Sequence, residues 1–398
     1  MAALQYWLWL SAMPVSPRAK AALIEHYGDA ESAYHAPEGS FSLIPGITPL
    51  ESKELENRDL RAANRIAGAC EEQHLQILTY QDAAYPRRLR NIFAPPVVLY
   101  GKGKLPDIDN EALISVIGTR KASFYGLKMG RDLAYQICKG GGTVVSLLTN
   151  GVDAEAARGA LLADGKCVAV LGTSHEAEKG YLAQELAVRG ALISEYPPGT
   201  RSQRQFFRER NRIAAGLSVG VLVVEAPARS GTRLFASEAL EQGKELFAVP
   251  GNVDAENCAG CLEMIQNGAK LVTCGWDVLE EFEGLFPGKL RDGGRESAPL
   301  VPKLNQEKPP EPPTAEKKDV DKENEGDYID LREQLAGLSA DELAVVTAIE
   351  KQSSHVDDII AKTGLPTAAV LRVLTLLTIK KYVKRNPGNY YSLNITKK

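Results

Sequence analysis

Six short runs rich in Val, Ile, Leu and Ala constrain this chain more than any other feature: "ALISVIG" (112–118), "TVVSLL" (143–148), "CVAVLG" (167–172), "ALIS" (191–194), "VGVLVVEA" (219–226) and "ELFAVPG" (245–251). The segments after most of them have helical period, with Gly, Ser, Thr or Asp at many junctions. Strands apolar on both faces must be covered on both faces, and helices alternating with parallel strands do this. The pattern predicts an α/β fold, a Rossmann-like doubly wound and mostly parallel sheet. Such sheets bind ligands outside the carboxyl ends of their strands, so the loops leaving these runs are where function is sought.

With 398 residues, 44% hydrophobic and 25% charged, the chain is long enough for two or three domains. No stretch approaches the ~20 apolar residues that span a bilayer, and "MAALQYWLWLSAMP" lacks the basic start and small-residue cleavage site of a signal peptide. A cytoplasmic protein with no membrane partner is expected. Six cysteines are too sparse for a disulfide scaffold. Cys258 and Cys261 in "CAGC" have only Cys274 nearby and no histidine, so free thiols are expected rather than a metal site. The net charge of −4 argues against a uniformly basic nucleic-acid binder. It leaves room for a local patch, because affinity for phosphates depends on where the charges sit.

The flanks read differently. Residues 1–80 show helical spacing in "SPRAKAALIEHYG" and "LESKELENRDLRAANRIAGACEEQ". The "LIPGIT" turn between them is either a plain connection or a turn offering backbone amides to a phosphate. Residues 81–286 form the sheet domain. Over 287–330, "PPEPPTAEKKDVDKENEGDYID" is too poor in apolar residues to fold and is expected to be a flexible linker. Residues 331–398 then give three helices and a β-hairpin turning at "NPGN", the order of a winged helix. Its last helix, "TAAVLRVLTLLTIKK", carries only Arg372 within its body and Lys380 and Lys381 at its end, too little polar surface to read bases.

The first strand leads into "GTRKASFYG", with Gly118, Thr119, Arg120 and Ser123. A glycine turn opening a helix gathers free N–H groups where the helix dipole favours an anion, and Arg120 either forks onto a phosphate or pairs with a surface carboxylate. The G-x-G-x-x-G spacing is absent and the strand ending near Ser146 offers no acid for a ribose, so NAD, FAD and other cofactors are not expected. Asp153 reads as a helix cap and Lys166 precedes the third strand. In "RSQRQFFRERNRIAAGLS", Arg201, Arg204, Arg208, Arg210 and Arg212 surround Phe206, Phe207 and Asn211, the mixture of guanidinium groups and stacking faces that suits single-stranded nucleic acid. "VVEAPARSGTRLFASEAL" supplies a second anion-ready helix start at Ser230 and Gly231, with Glu225 at the strand end.

In order and spacing, "YPRRLRNIFAPPVVLYGKG", "ISVIGTRKASFYG", "NGVDAEAARGAL", "GKCVAVLG", "LISEYPPGT", "RNRIAAGLS", "VLVVEA", "SGT" and "LFAVPGN" resemble the DNA-processing protein A (DprA/Smf) family over about residues 80–282. The resemblance implies a domain that binds single-stranded DNA, dimerises through its later part, and helps load the RecA recombinase during natural transformation. It also implies that the N-terminal helical domain is of SAM or helix-hairpin-helix type. By the family's pattern Gly118, Thr119 and Arg120 hold a backbone phosphate, while Lys166 and the run Arg210, Asn211, Arg212 extend the contact. This chain departs from the pattern at Leu147, Val152, Arg158, Phe206 and Arg208, in the 171–186 stretch, and at "CAGCLEMI"; Arg158 and Arg208 add charge. No catalytic residue is expected. The enzymatic alternative, a nucleotide phosphoribohydrolase with a "PGGxGTxxE" loop, finds only Gly-Thr and Glu238 in "ARSGTRLFASE".

Overall fold

A computed structural model describes residues 2–299, 340–349, 354–379, 382–386 and 390–393, and divides into two units at residue 304. The first unit contains β1 Gln76–Thr79, β2 Val98–Gly103, β3 Leu113–Ile117, β4 Thr143–Ser146, β5 Cys167–Leu171, β6 Ala191–Ser194, β7 Gly220–Val223, β8 Glu245–Ala248 and β9 Lys270–Leu271. They form one sheet in the order β1-β2-β6-β5-β4-β3-β7-β8-β9. From β6 to β9 every neighbouring pair is parallel, and β1 and β2 add an antiparallel edge. The six runs are β3 to β8. The strand order reverses between β3 and β7, with Ile114 opposite Gly220 on one side and Val144 on the other. Such a switch point opens a crevice between loops that leave in opposite directions.

Strands β3 to β7 are buried along their whole length, and each buried Val, Leu or Ile contributes about 1.5–3 kcal/mol. One face packs against helices Phe124–Lys139, Val152–Leu162 and Tyr181–Arg189, the other against Asn211–Leu217, Gly231–Glu241 and Ala259–Gln266. Among the described residues no helix is long and apolar enough to cross a membrane.

Three sequence expectations change. The helical segment stops short of residue 80, because Gln76–Thr79 joins the sheet as β1 with Thr79 opposite Val98. Within it, the single helix expected over 50–73 is two, Pro49–Leu55 and Arg61–Glu72. Asn57 and Asp59 divide them by accepting, on their side chains, the N–H groups of Asp59 and Arg61. The helix Ala2–Ala12 buries Trp7, Leu8, Trp9 and Leu10 in a core shared with Val98 and Tyr100 of β2, as a helix apolar all round must. The flexible linker expected from residue 287 does not hold over 287–299. Residues 287–299 strap across the helix Phe124–Lys139: Ala298 N–H donates to Asp132 (3.1 Å) and Gln136 Nε2 donates to the Glu296 carbonyl (3.0 Å). The strap buries Leu290 and Ala298. Residues 300–330 lie outside the described ones.

The second unit has helices Ala340–Ala348, Val356–Thr363 and Thr367–Ile379 and a three-stranded sheet of β10 Ser354–His355, β11 Val383–Asn386 and β12 Tyr390–Leu393 in the order β10-β12-β11. Val370, Val373, Leu374 and Leu377 of its last helix are buried in the core, and Arg372 is exposed. Pro387, Gly388 and Asn389 of the "NPGN" turn, and Lys380 and Lys381, lie outside the described residues.

Candidate nucleic-acid interface

The loops leaving β3, β4, β5, β6 and β7 enclose a groove of about 1450 Å³ at the carboxyl edge of the sheet. Gly118, Thr119 and Arg120 line it from β3, Leu147 to Asn150 and Asp153 from β4, Glu178 from β5, Arg204, Phe207, Arg208, Arg210 and Asn211 from the segment after β6, and Ser230 and Gly231 after β7. Two glycines let these loops meet. Gly151, at φ +86°, lies where a Cβ would stand 2.8 Å from the Arg120 carbonyl oxygen, and a Cβ on Gly172 would press on Phe207 at 3.0 Å.

The two helix starts differ electrostatically. At Phe124–Lys139, Ser123 caps the Gly126 N–H (3.1 Å), while the buried Glu225 carboxylate accepts from Ser123 N (2.9 Å) and Ser123 Oγ. The protein's own carboxylate fills that anion site, so Ser123 faces inward instead of lining the groove as the sequence suggested. Glu225 also accepts the Thr119 N–H on its carbonyl oxygen (2.8 Å), which fixes both ends of the turn. At Gly231–Glu241 no side chain caps the helix, and the Ser230 hydroxyl is buried without a partner. This second start keeps its N–H groups uncapped by any side chain, the feature that favours an anion.

The arginine segment divides by direction. Arg210, 3% exposed, donates from Nη1 to the carbonyl oxygens of Leu147 (2.5 Å) and Val170 (3.0 Å); its Nε is buried without a partner and Nη2 bonds no protein group among the described residues. Burial pushes its guanidinium down to about 10, against the pull of Asp153, so it stays charged at neutral pH. Phe207 is half-buried, its ring 6.0 Å from the Arg120 guanidinium carbon and 5.4 Å from that of Arg210. Arg120, Arg204 and Arg208 are exposed. Burial also pushes Asp153 up to about 6 and raises Glu178.

Arg212 turns the other way. Its Nη2 bonds Glu195 Oε1 at 2.6 Å and Oε2 at 2.8 Å, and its Nη1 bonds the Glu209 carbonyl oxygen at 3.2 Å, in a buried pair outside the groove. Phe206 stacks on Tyr196 with ring centroids 3.9 Å apart, so only Phe207 of the two aromatics reaches the groove. Lys166 precedes β5 at the amino edge, opposite the groove, and pairs with Glu111. A strand's two ends are separated by its own length, about 3.3 Å per residue, and proximity to an apolar run does not reveal which end a residue occupies. Arg158 pairs with Glu155 on the helix Val152–Leu162 and adds nothing to the groove, whereas Arg208 does. Gly118, Thr119, Arg120, Arg208, Arg210, Asn211, Ser230 and Gly231 therefore come together, and Ser123, Lys166 and Arg212 do not. Arg204 of the arginine segment also lines the groove, and Glu178 and Asp153, not expected there from the sequence, join it. Cys258 and Cys261 are buried thiols, and burial pushes the latter up to about 12.

Sheet order, switch point and basic groove define a doubly wound α/β protein with its polar cleft at the carboxyl edge, followed by a small winged-helix unit. The family model described as DNA recombination-mediator protein A matches residues 76–283, and that of the DprA winged helix domain matches 330–389. Protein Smf of Synechocystis sp. is 30% identical, across 97% of this chain and 98% of that protein. DNA processing protein DprA of Bacillus subtilis is 36% identical, across 54% of this chain and 74% of that protein. The X-ray structure of DNA processing protein A from Streptococcus pneumoniae matches with a TM-score of 0.61 at 31% identity, covering 70% of this chain and 96% of that one. The chain belongs to the DNA-processing protein A (DprA/Smf) family.

Proposed function

We propose that this protein binds single-stranded DNA without turnover, in the groove at the carboxyl edge of the sheet, and passes the strand to a RecA-type recombinase as a cytoplasmic homodimer. The observation that carries the reading is the guanidinium of Arg210, buried on the groove lining with Nη2 bonded to no protein group among the described residues, in the same groove as the uncapped helix start at Ser230 and Gly231. Arg120, Arg204 and Arg208 extend the positive rim, and Phe207 offers a stacking face, so contacts go to phosphates and ring faces rather than to base edges. The family description as a recombination mediator supports the recombinase as partner. Glu238, the acid an enzymatic reading needs, accepts from Gln242 Nε2 (3.1 Å) and does not line the groove, which favours binding over hydrolysis. The apolar last helix of the winged-helix unit favours protein contact or weak non-specific DNA contact.

The test is fluorescence anisotropy of labelled oligo-dT across a salt series, with duplex as competitor. Binding is expected to prefer the single strand and to weaken with salt at a slope of about 0.7 per phosphate neutralised. Arg120→Ala is expected to weaken it with a shallower slope. Equal affinity and slope in the variant would remove the groove as the site.

A further inference from the structure

The groove holds a carboxylate where a phosphate-binding site gains from having none. Asp153, second residue of the helix Val152–Leu162, is 2% exposed on the groove lining. Its carboxylate accepts the Gly118 N–H (3.2 Å) and the Thr149 hydroxyl, and its backbone carbonyl accepts from Ser146 Oγ (2.8 Å). Arg210 faces it from the segment after β6, and Arg120 from the turn after β3; Glu178 faces Arg210 from the loop after β5. Neither guanidinium lies within 4.0 Å of it as an ion pair. Asp153 thus shares the field of both cations and holds an N–H of the very turn that meets the strand.

We infer that Asp153 is a counter-anion built into the groove, and that the binding of a DNA phosphate is coupled to uptake of one proton from solvent by its carboxyl group. The inference rests on the groove being the DNA site. A phosphate between Arg120 and Arg210 places a second negative charge beside a buried carboxylate, and two anions sharing one desolvated site favour protonation of the weaker acid. Burial already holds Asp153 near 6, so little further displacement brings the coupling to neutral pH. The sign follows: the complex holds the proton more tightly than the free protein, so affinity rises as pH falls. Each unit by which the bound phosphate raises the carboxyl pKa gives up to tenfold tighter binding on the acid side.

Oligo-dT is the probe, since neither its phosphodiesters nor its thymines titrate over about pH 5–8. Histidine is the ordinary side chain that titrates there, and His175 is buried against the Tyr100 carbonyl oxygen, away from the groove. The wild type is expected to bind about tenfold tighter at the acid end of that window than at the alkaline end. Asp153→Asn is expected to flatten the profile and to bind tighter than wild type at the alkaline end. Glu178→Gln is expected to keep the wild-type slope. Should Asp153→Asn unfold, calorimetry of the wild type in two buffers of different ionisation enthalpy reads the proton directly. A flat wild-type profile, an unchanged slope in Asp153→Asn, a slope lost in Glu178→Gln alone, or no proton uptake each overturns the inference. Arg120→Ala separates the two levels: if it binds as wild type the groove reading itself fails, and if it binds weakly while the pH slope is absent only the coupling fails.

Discussion

Replacing Arg212 by Ala tests the division of the arginine segment into groove and core. In the native protein its guanidinium is held bidentate by Glu195 with side chains 8% and 10% exposed. Removing it leaves a buried carboxylate without its partner, which costs about 3–5 kcal/mol. Taking the first unit as roughly 300 residues and an unfolding entropy of about 2.1 cal/mol/K per residue gives about 0.6 kcal/mol/K, so the melting temperature should fall by about 5–8 °C. Arg120→Ala, at an exposed position, should stay within about 0.5 kcal/mol of wild type. Scanning calorimetry of the full chain measures both, and anisotropy below the transition measures binding. Arg212→Ala should retain the wild-type salt slope, because its charge neutralises Glu195 and no phosphate. The reasoning is refuted if Arg212→Ala melts with the wild type and loses one phosphate from that slope.

Phe207→Ala is expected to weaken oligo-dT binding by about 1–3 kcal/mol with little change in salt slope, since a stacking face and no charge is lost; an unaltered affinity removes Phe207 from the strand's path. Glu51 supports a pH prediction in the N-terminal helices. Burial alone would raise its carboxyl, yet bonds from Ser16 and Thr48 hold it down at about 2. Its contribution is therefore full above the unfolded value of about 4.5 and is lost as pH falls through about 2. Because it is partly exposed, Glu51→Gln should cost only about 1 kcal/mol at neutral pH and narrow the acid-induced loss of stability, read by thermal melts from neutral pH downward.

The central sheet was legible because β3 to β8 are apolar on both faces, a pattern that local composition alone produces. β1, β2 and β9 escaped: β1 is only partly buried, β9 is two residues long, and the buried Val98-Leu99-Tyr100 of β2 runs straight into "GKG" with no α-helix after it to mark a β-α repeat. Ile213 and Leu217, four residues apart on one face of the helix Asn211–Leu217, are buried as that spacing requires. Which arginines accompany them inward was not legible. Arg210 and Arg212 are two residues apart, and their directions depend on Glu195 and on the carbonyl oxygens of Leu147 and Val170, which come from other strands.

The sequence by itself determined the class of fold, the edge of the sheet where charge collects, and a family pattern carried by motifs whose spacing is local. Tertiary structure alone decided which charges are available there. Lys166 went to the opposite edge, Arg212 to an internal ion pair, and the helix start at Ser123 to Glu225, while Asp153 was brought onto the lining and Arg210 was left with one face open. The physical reason is that a charge becomes free or quenched through partners several angstroms away in space and tens of residues away along the chain, and those partners are assembled only when the strands pair.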